Sequence, residues 1–264
     1  MTTTAATGAP TVAPEHHRGV RPPSLLRLTG VELRKLADTR AGLWLLITIG
    51  LTTAVIVVLQ LAYADEADQT FATFFVPSLF PVGLLLPVLG ILSITAEWSQ
   101  RTALVTYALV PRRERVVAAK LVTVVLAALA SVLASLAVAA AGTLVAGAIG
   151  DGGQWRFDET LLLNAVVFQV ANVLMGAGFG LLLLNTPLAI VSYLLLPTVW
   201  SILGEVVPAL RGPAGWLDTG RTMEPLFGGD LTGEQWGRLA VSLLVWLAVP
   251  LAAGLVRTLR REVA

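Results

Sequence analysis

Six long apolar runs constrain this chain more than any other feature. The first, Gly42–Tyr63, holds no charged residue at all. In hydrocarbon every backbone polar group must be satisfied within the protein, so runs of this kind fold as helices that cross a bilayer. The others are Phe74–Ala96, Val116–Ile149, Leu161–Leu184, Pro187–Val207 and Leu239–Val256. Each of the first five reaches the ~20 residues a span needs, and the sixth sits near the lower limit. The third is longer than a bilayer requires, so one end should project or tilt. Pro77, Pro81 and Pro87 predict bends in the second. Spans four and five nearly touch. Asn185-Thr186-Pro187 reads as a tight turn in which Thr186 caps the new helix and Pro187 takes its first turn. The expected fold is an all-α membrane protein of six spans over residues 24–264, behind a tail at 1–23.

Composition agrees with that reading. The chain is 56% hydrophobic and 13% charged, against about 25% charged in a soluble domain. Residues 1–23 are rich in Thr, Ala and Pro without apolar periodicity, which predicts disorder. No apolar core lies near the start, so this tail does not read as a signal peptide. Ser24–Arg40 reads as an amphipathic helix lying in the membrane interface. Leu25, Leu28, Leu33 and Leu36 supply its apolar contacts, and Arg27, Arg34, Lys35 and Arg40 face headgroups.

Basic residues set the expected orientation. Six lie in the N-terminal flank, five between spans two and three (Arg101, Arg112, Arg113, Arg115, Lys120) and three at the C-terminus, leaving four for the other side. Asp65, Glu66 and Asp68 fill the first loop of that other side. Both termini are therefore expected in the cytoplasm, and a basic N-terminus without a leader fits a bacterial plasma membrane. Pro208–Gly237 is then the longest outer segment. It reads either as a surface-lying or re-entrant hairpin or as an ordinary capped loop.

Few residues carry chemistry. Cysteine is absent, which removes disulfides and thiolate sites, and the only histidines are His16 and His17 in the tail. No metal site is expected. The only lysines, Lys35 and Lys120, do not follow glycine, so the chain has no phosphate loop for ATP. Gly176, Gly178 and Gly180 lie inside an apolar helix and read as close helix packing. In the third span Thr123, Ala127, Ser131, Ser135, Ala139, Thr143 and Gly147 recur every four residues. They predict a seam of small residues facing another span or a second copy. Asn164, Gln169 and Asn172 share one half of span four. They would line a polar translocation path or hydrogen-bond between helices. No span holds a chain of buried acids, which disfavours an ion-coupled carrier.

The remaining feature is the charged interval between spans two and three. Glu97-Trp98-Ser99-Gln100-Arg101-Thr102 opens it at the foot of one helix, and Pro111-Arg112-Arg113, Arg115 and Ala119-Lys120 close it at the start of the next. Arg101–Leu109 predicts a short helix with Leu104 and Tyr107 on one face, stopped at Pro111. A plain topogenic loop would explain the arginines. It would not explain the apolar face, the proline and the lone acid.

This interval, together with Glu32-Leu33-Arg34-Lys35-Leu36 before the first span, resembles ABC-2 type permeases, the membrane subunits of ATP-binding-cassette exporters. The resemblance implies a half-transporter, paired with itself or a related permease, that binds a separate ATPase subunit. ATP and magnesium would belong to that partner, and this chain would bind no cofactor and have no enzymatic activity of its own. It implies that Glu97, Arg101, Thr102, Leu104, Tyr107, Pro111, Arg112, Arg113, Arg115 and Lys120 form the ATPase-coupling segment. Glu32 and Lys35 would lie on a connecting helix. The other partner is membrane lipid; nucleic acid is not expected. Rival readings are an ion-coupled carrier, a membrane enzyme, and a scaffold or signalling partner that moves nothing.

Overall fold

The computed structural model describes residues 24–100 and 112–260. The tail expected at 1–23 and the coupling residues Arg101, Thr102, Leu104, Tyr107 and Pro111 lie outside the described residues. Among those described, every regular element is helical, and the one β-bridge joins Thr70 to Gln154. Six helices are long and apolar enough to cross a membrane: Arg40–Tyr63, Phe71–Ser99, Arg113–Ile149, Glu159–Leu183, Thr186–Val206 and Gly233–Arg260. The protein is a multi-pass membrane protein.

Spans two and four form the centre. Of their most apolar windows 61% and 67% are buried, against 17% to 28% for the other four. Phe74, Phe75, Leu79 and Ala139 fill the core towards one end, and Leu86, Val124, Ala128 and Val173 fill it towards the other. Glycine allows this closeness. A Cβ at Gly176 would lie 2.7 Å from the Pro87 carbonyl, and one at Gly254 would lie 2.6 Å from the Leu182 nitrogen. Spans two and six thus meet span four at backbone distance, the packing available where water supplies no hydrophobic drive.

Span two remains helical through Pro77, Pro81 and Pro87. Pro77 has no N–H for the Thr73 carbonyl, and Gln60 of span one donates to that carbonyl instead at 2.5 Å. In the third span the four-residue repeat drifts against the 3.6-residue helical period. Thr123, Ser135, Ala139 and Thr143 are buried, Ala127 and Ser131 half-buried, and Gly147 exposed. The seam is therefore shorter than the repeat.

Several boundaries differ from the sequence expectation for identifiable reasons. Asn185, not Thr186, caps the fifth span, accepting from the Leu188 N–H at 3.0 Å. Thr186 is already helical, and its hydroxyl bonds those of Thr95 at 2.7 Å and Ser99 at 3.0 Å. The sixth span starts at Gly233, not Leu239, because Thr232 and Gln235 form a capping box. It also contains a π-helical turn at Leu244–Ala248. Pro208–Gly237 folds into two short helices, Arg211–Leu217 and Thr219–Met223, and Met223 and Leu226 enter the core. The N-terminal helix Leu25–Asp38 buries Thr29 and Glu32, while Leu25, Leu26 and Leu33 stay exposed. Thr29 and Glu32 meet protein, and exposed Leu25, Leu26 and Leu33 are available to lipid, as an interfacial helix requires.

At the end opposite the N-terminal helix, the two loops that join spans one to two and three to four are clasped together. The Gln69 carbonyl accepts from the N–H groups of Gly153 (2.8 Å) and Gln154 (3.3 Å), and the Phe71 N–H donates to the Gln154 carbonyl at 2.9 Å. The Gln69 amide donates to the Ala64 carbonyl at 3.0 Å. Gly153 has φ +80°, and a Cβ there would lie 2.5 Å from the Thr143 carbonyl. Gly153→Ala therefore combines left-handed strain with a backbone clash, each worth about 1 kcal/mol or more. A lowered unfolding midpoint in detergent is expected, and an unchanged midpoint would show that the clasp yields.

Candidate functional site: a four-charge junction

Both lysines of the chain converge on one junction. Ser24 caps the N-terminal helix, accepting from the Arg27 N–H at 3.3 Å. Thr39 then ends that helix in extended backbone and starts span one, accepting from the Gly42 N–H at 3.1 Å. A Cβ at Gly42 would lie 2.0 Å from the Leu36 carbonyl, so the tight turn between the two helices requires glycine. The turn lays the N-terminal helix across spans two and three and buries Glu32.

Glu32 bridges the lysines. Lys35 Nζ donates to its Oε1 at 2.7 Å and Lys120 Nζ to its Oε2 at 2.8 Å. Glu97, in the last turns of span two, completes the group. Its Oε1 lies 3.0 Å from Lys35 Nζ and 3.4 Å from Lys120 Nζ. Lys120 also donates to the Ser93 carbonyl at 2.8 Å. Its ammonium thus faces three acceptors, as many as it has protons. Beside the cluster, the Thr123 hydroxyl donates to the Thr29 carbonyl at 3.3 Å. Lys120, Glu32 and Glu97 side chains are 5%, 7% and 11% exposed, while Lys35 is 48% exposed.

Among the described residues the junction balances two carboxylates against two ammoniums. Among the described residues no cluster of His, Cys, Asp or Glu suits a metal ion. The junction's chemistry is mechanical: one set of charge-assisted bonds fastens the N-terminal helix to spans two and three. Burial of the Lys35 ammonium lowers its pKa, but the hydrogen bonds and charges of Glu32 and Glu97 outweigh that and hold it above the ordinary lysine value. The sign follows from a raised folded-state pKa. Lys35's contribution is complete below the ordinary value of ~10.4 and is lost as pH rises through the higher folded value. Half exposure reduces its size. The wild type should lose more unfolding midpoint between pH 9 and 11 than Lys35→Met, and equal losses would remove Lys35 from the junction's energetics.

The other residues singled out in the sequence are dispersed. Arg112 is exposed and Arg113 and Arg115 half-buried at the start of span three, outside the four-charge group. Asn164 donates to the Gly229 carbonyl at 2.8 Å, and Gln169 donates to the Leu79 carbonyl at 3.0 Å. Asn172 donates to the Phe168 carbonyl at 2.9 Å and accepts from the Tyr193 hydroxyl at 3.3 Å. Of the three, Asn172 borders a cavity of about 430 Å³, lined also by Phe80, Phe168, Tyr193 and Phe227.

Two residues that tie the Pro208–Gly237 segment together escaped sequence reasoning. Asp218 is 2% exposed and accepts from the Gly220 N–H at 2.9 Å and the Ser201 hydroxyl at 2.8 Å. Trp246 donates to the Leu217 carbonyl at 2.7 Å. Asp218-Thr219-Gly220 is a helix-capping signal visible in sequence. Trp246, which lies in the π turn, gave none. Comparison with known proteins returned no matching family model, no matching curated protein and no matching solved structure.

Proposed function

We propose that this chain is the membrane subunit of an ATP-driven exporter of the ABC-2 type, working as a dimer with a separate ATPase. In this reading the N- and C-termini and the 101–111 segment face the cytoplasm of a bacterial cell. The observation that carries the proposal is the four-charge junction. Glu97 lies four positions before Arg101, and Lys120 lies nine after Pro111, so the charges of the junction flank the 101–111 segment in sequence. A push on that segment reaches span two, span three and the N-terminal helix together, because the same four charges hold all three. The partner closes on ATP, Arg101–Leu109 is displaced, and the joined helices tilt to open a path to the other side. A plain loop would require no such fastening.

Docking is tested by finding whether an ATP-binding-cassette ATPase is encoded beside this gene and co-purifying that ATPase with the chain. Leu104→Asp with Tyr107→Asp should cut ATPase recovery about tenfold or more, the effect of placing charge in the core of an apolar contact. Elution as the same species as the wild type provides the folding control. Full ATPase recovery with the double variant would remove the docking role from Leu104 and Tyr107. ATP-dependent movement of a fluorescent amphiphile in vesicles separates the exporter from a scaffold.

A further inference from the structure

Three cavities border the N-terminal helix, and each shares two wall residues with the next along one line. The first, about 440 Å³, runs between that helix and spans one, two and three, with an apolar wall from Leu33 and Leu36 past Ile49 and Gly50 to Thr53. The second, about 530 Å³, shares Leu36 and Leu89 with it and is lined by Thr39, Ser93 and Gln100 together with the junction charges Glu32, Lys35, Glu97 and Lys120, which pair with one another. The third, about 700 Å³, shares Lys35 and Thr39 with the second and is bordered by Arg27 and Arg34. Along this track polarity steps from hydrocarbon, through hydroxyl and amide groups beside the paired charges of the junction, to guanidinium.

We infer that this track binds one anionic phospholipid from the membrane surface on which the N-terminal helix lies. An acyl chain fills the groove, the glycerol esters lie beside Thr39 and Lys35, and the phosphate meets Arg27 and Arg34. Length fits: Thr53 is thirteen residues beyond Arg40, about 20 Å along the helix, and half of the hydrocarbon core is ~15 Å. Charge fits as well. Arg27, Arg34 and Lys35 border the outer cavity and Asp38 is the one acid there. Exposed Arg27 and Arg34 make no ion pair with any described acid. Basic residues at a helix on the bilayer surface attract anionic headgroups. The groove is unfilled by side chains at Gly50, where a Cβ would meet nothing within 4 Å. The N-terminal tail is a poor occupant. Met1, Val12 and Val20 are its large aliphatic residues, and it carries Arg18 and Arg21.

The test uses the full chain, purified in detergent and titrated with phosphatidylglycerol, phosphatidylcholine or inorganic phosphate, with bound lipid counted by native mass spectrometry. One phosphatidylglycerol per chain is expected, held about tenfold or more in preference to phosphatidylcholine, with no response to inorganic phosphate. Arg27→Gln with Arg34→Gln should remove the preference while leaving lipid binding. Gly50→Phe should remove both lipids, because it fills the groove from a position with free space around it. Equal retention of the two lipids, or phosphatidylglycerol held by Gly50→Phe, would overturn the assignment. The chain has no cysteine, so Gly50→Cys supplies a unique thiol. A disulfide-linked dimer on mild oxidation of native membranes would give the groove to a second copy instead.

Discussion

Lys120→Met is expected to destabilise the protein by about 3–5 kcal/mol, the cost of removing one partner from a buried ionic group. The substitution preserves the stem and removes the charge. Glu32 would then keep only the half-exposed ammonium of Lys35 among its described partners, and the four described charges would sum to a net negative charge in a place water hardly reaches. The Ser93 carbonyl would also lose its donor. The cause is separable from simple loss of packing: adding Glu32→Gln restores neutrality and should recover a large part of the loss, since buried ion pairs often give little net stability over neutral substitutes. Chemical denaturation in detergent, followed by tryptophan fluorescence, measures both. A single variant as stable as the wild type would mean that water or a displaced side chain compensates the carboxylates, and the mechanical role assigned to the junction would fail.

Gly254→Leu should be comparably damaging, at about 3 kcal/mol or more, because it forces side-chain volume into a backbone contact. The Cβ alone would lie 2.6 Å from Leu181 Cβ and from the Leu182 nitrogen. Neither is the end of a flexible side chain, so relief requires span six to move away from span four. Gly178 makes the reciprocal approach, where a Cβ would lie 3.0 Å from the Leu251 nitrogen. Gly254→Ala should cost about 1–3 kcal/mol. Gly212→Leu is the control: a Cβ there meets nothing within 4 Å, and a change within about 0.5 kcal/mol is expected. Equal unfolding midpoints for Gly254→Leu and Gly212→Leu would show that the contact is loose.

The six spans were legible because length and apolarity act locally, and each core run was found within a few residues of its ends. The ends were harder. Thr232-Gly233-Glu234-Gln235-Trp236-Gly237 looks like loop by composition, yet its first and fourth residues form a capping box that starts a helix. Asn185 and Thr186 are both good caps, and the choice between them was made by Thr95 and Ser99, which occupy the Thr186 hydroxyl from another span. The N-terminal helix was legible as amphipathic from its leucines, but which residues it turns to protein was not: Thr29 and Glu32 are the ones it buries. Glu32, Lys35, Glu97 and Lys120 were each visible as charges at a membrane boundary. Their pairing was not, because the contacts span 62 and 88 positions in sequence. Two lysines and two acids at the feet of apolar helices were the available hint.

Under the proposed coupling, the clasp at Gln69 would set the point about which the bundle pivots. Span two runs from Phe71, beside the clasp, to Ser99, a length of about 43 Å. With its far tip stitched to the neighbouring loop, a rocking of about 5° displaces the Glu97 end by about 4 Å over that radius. Small strokes delivered at the charged foot would translate into rotation about a nearly stationary fulcrum.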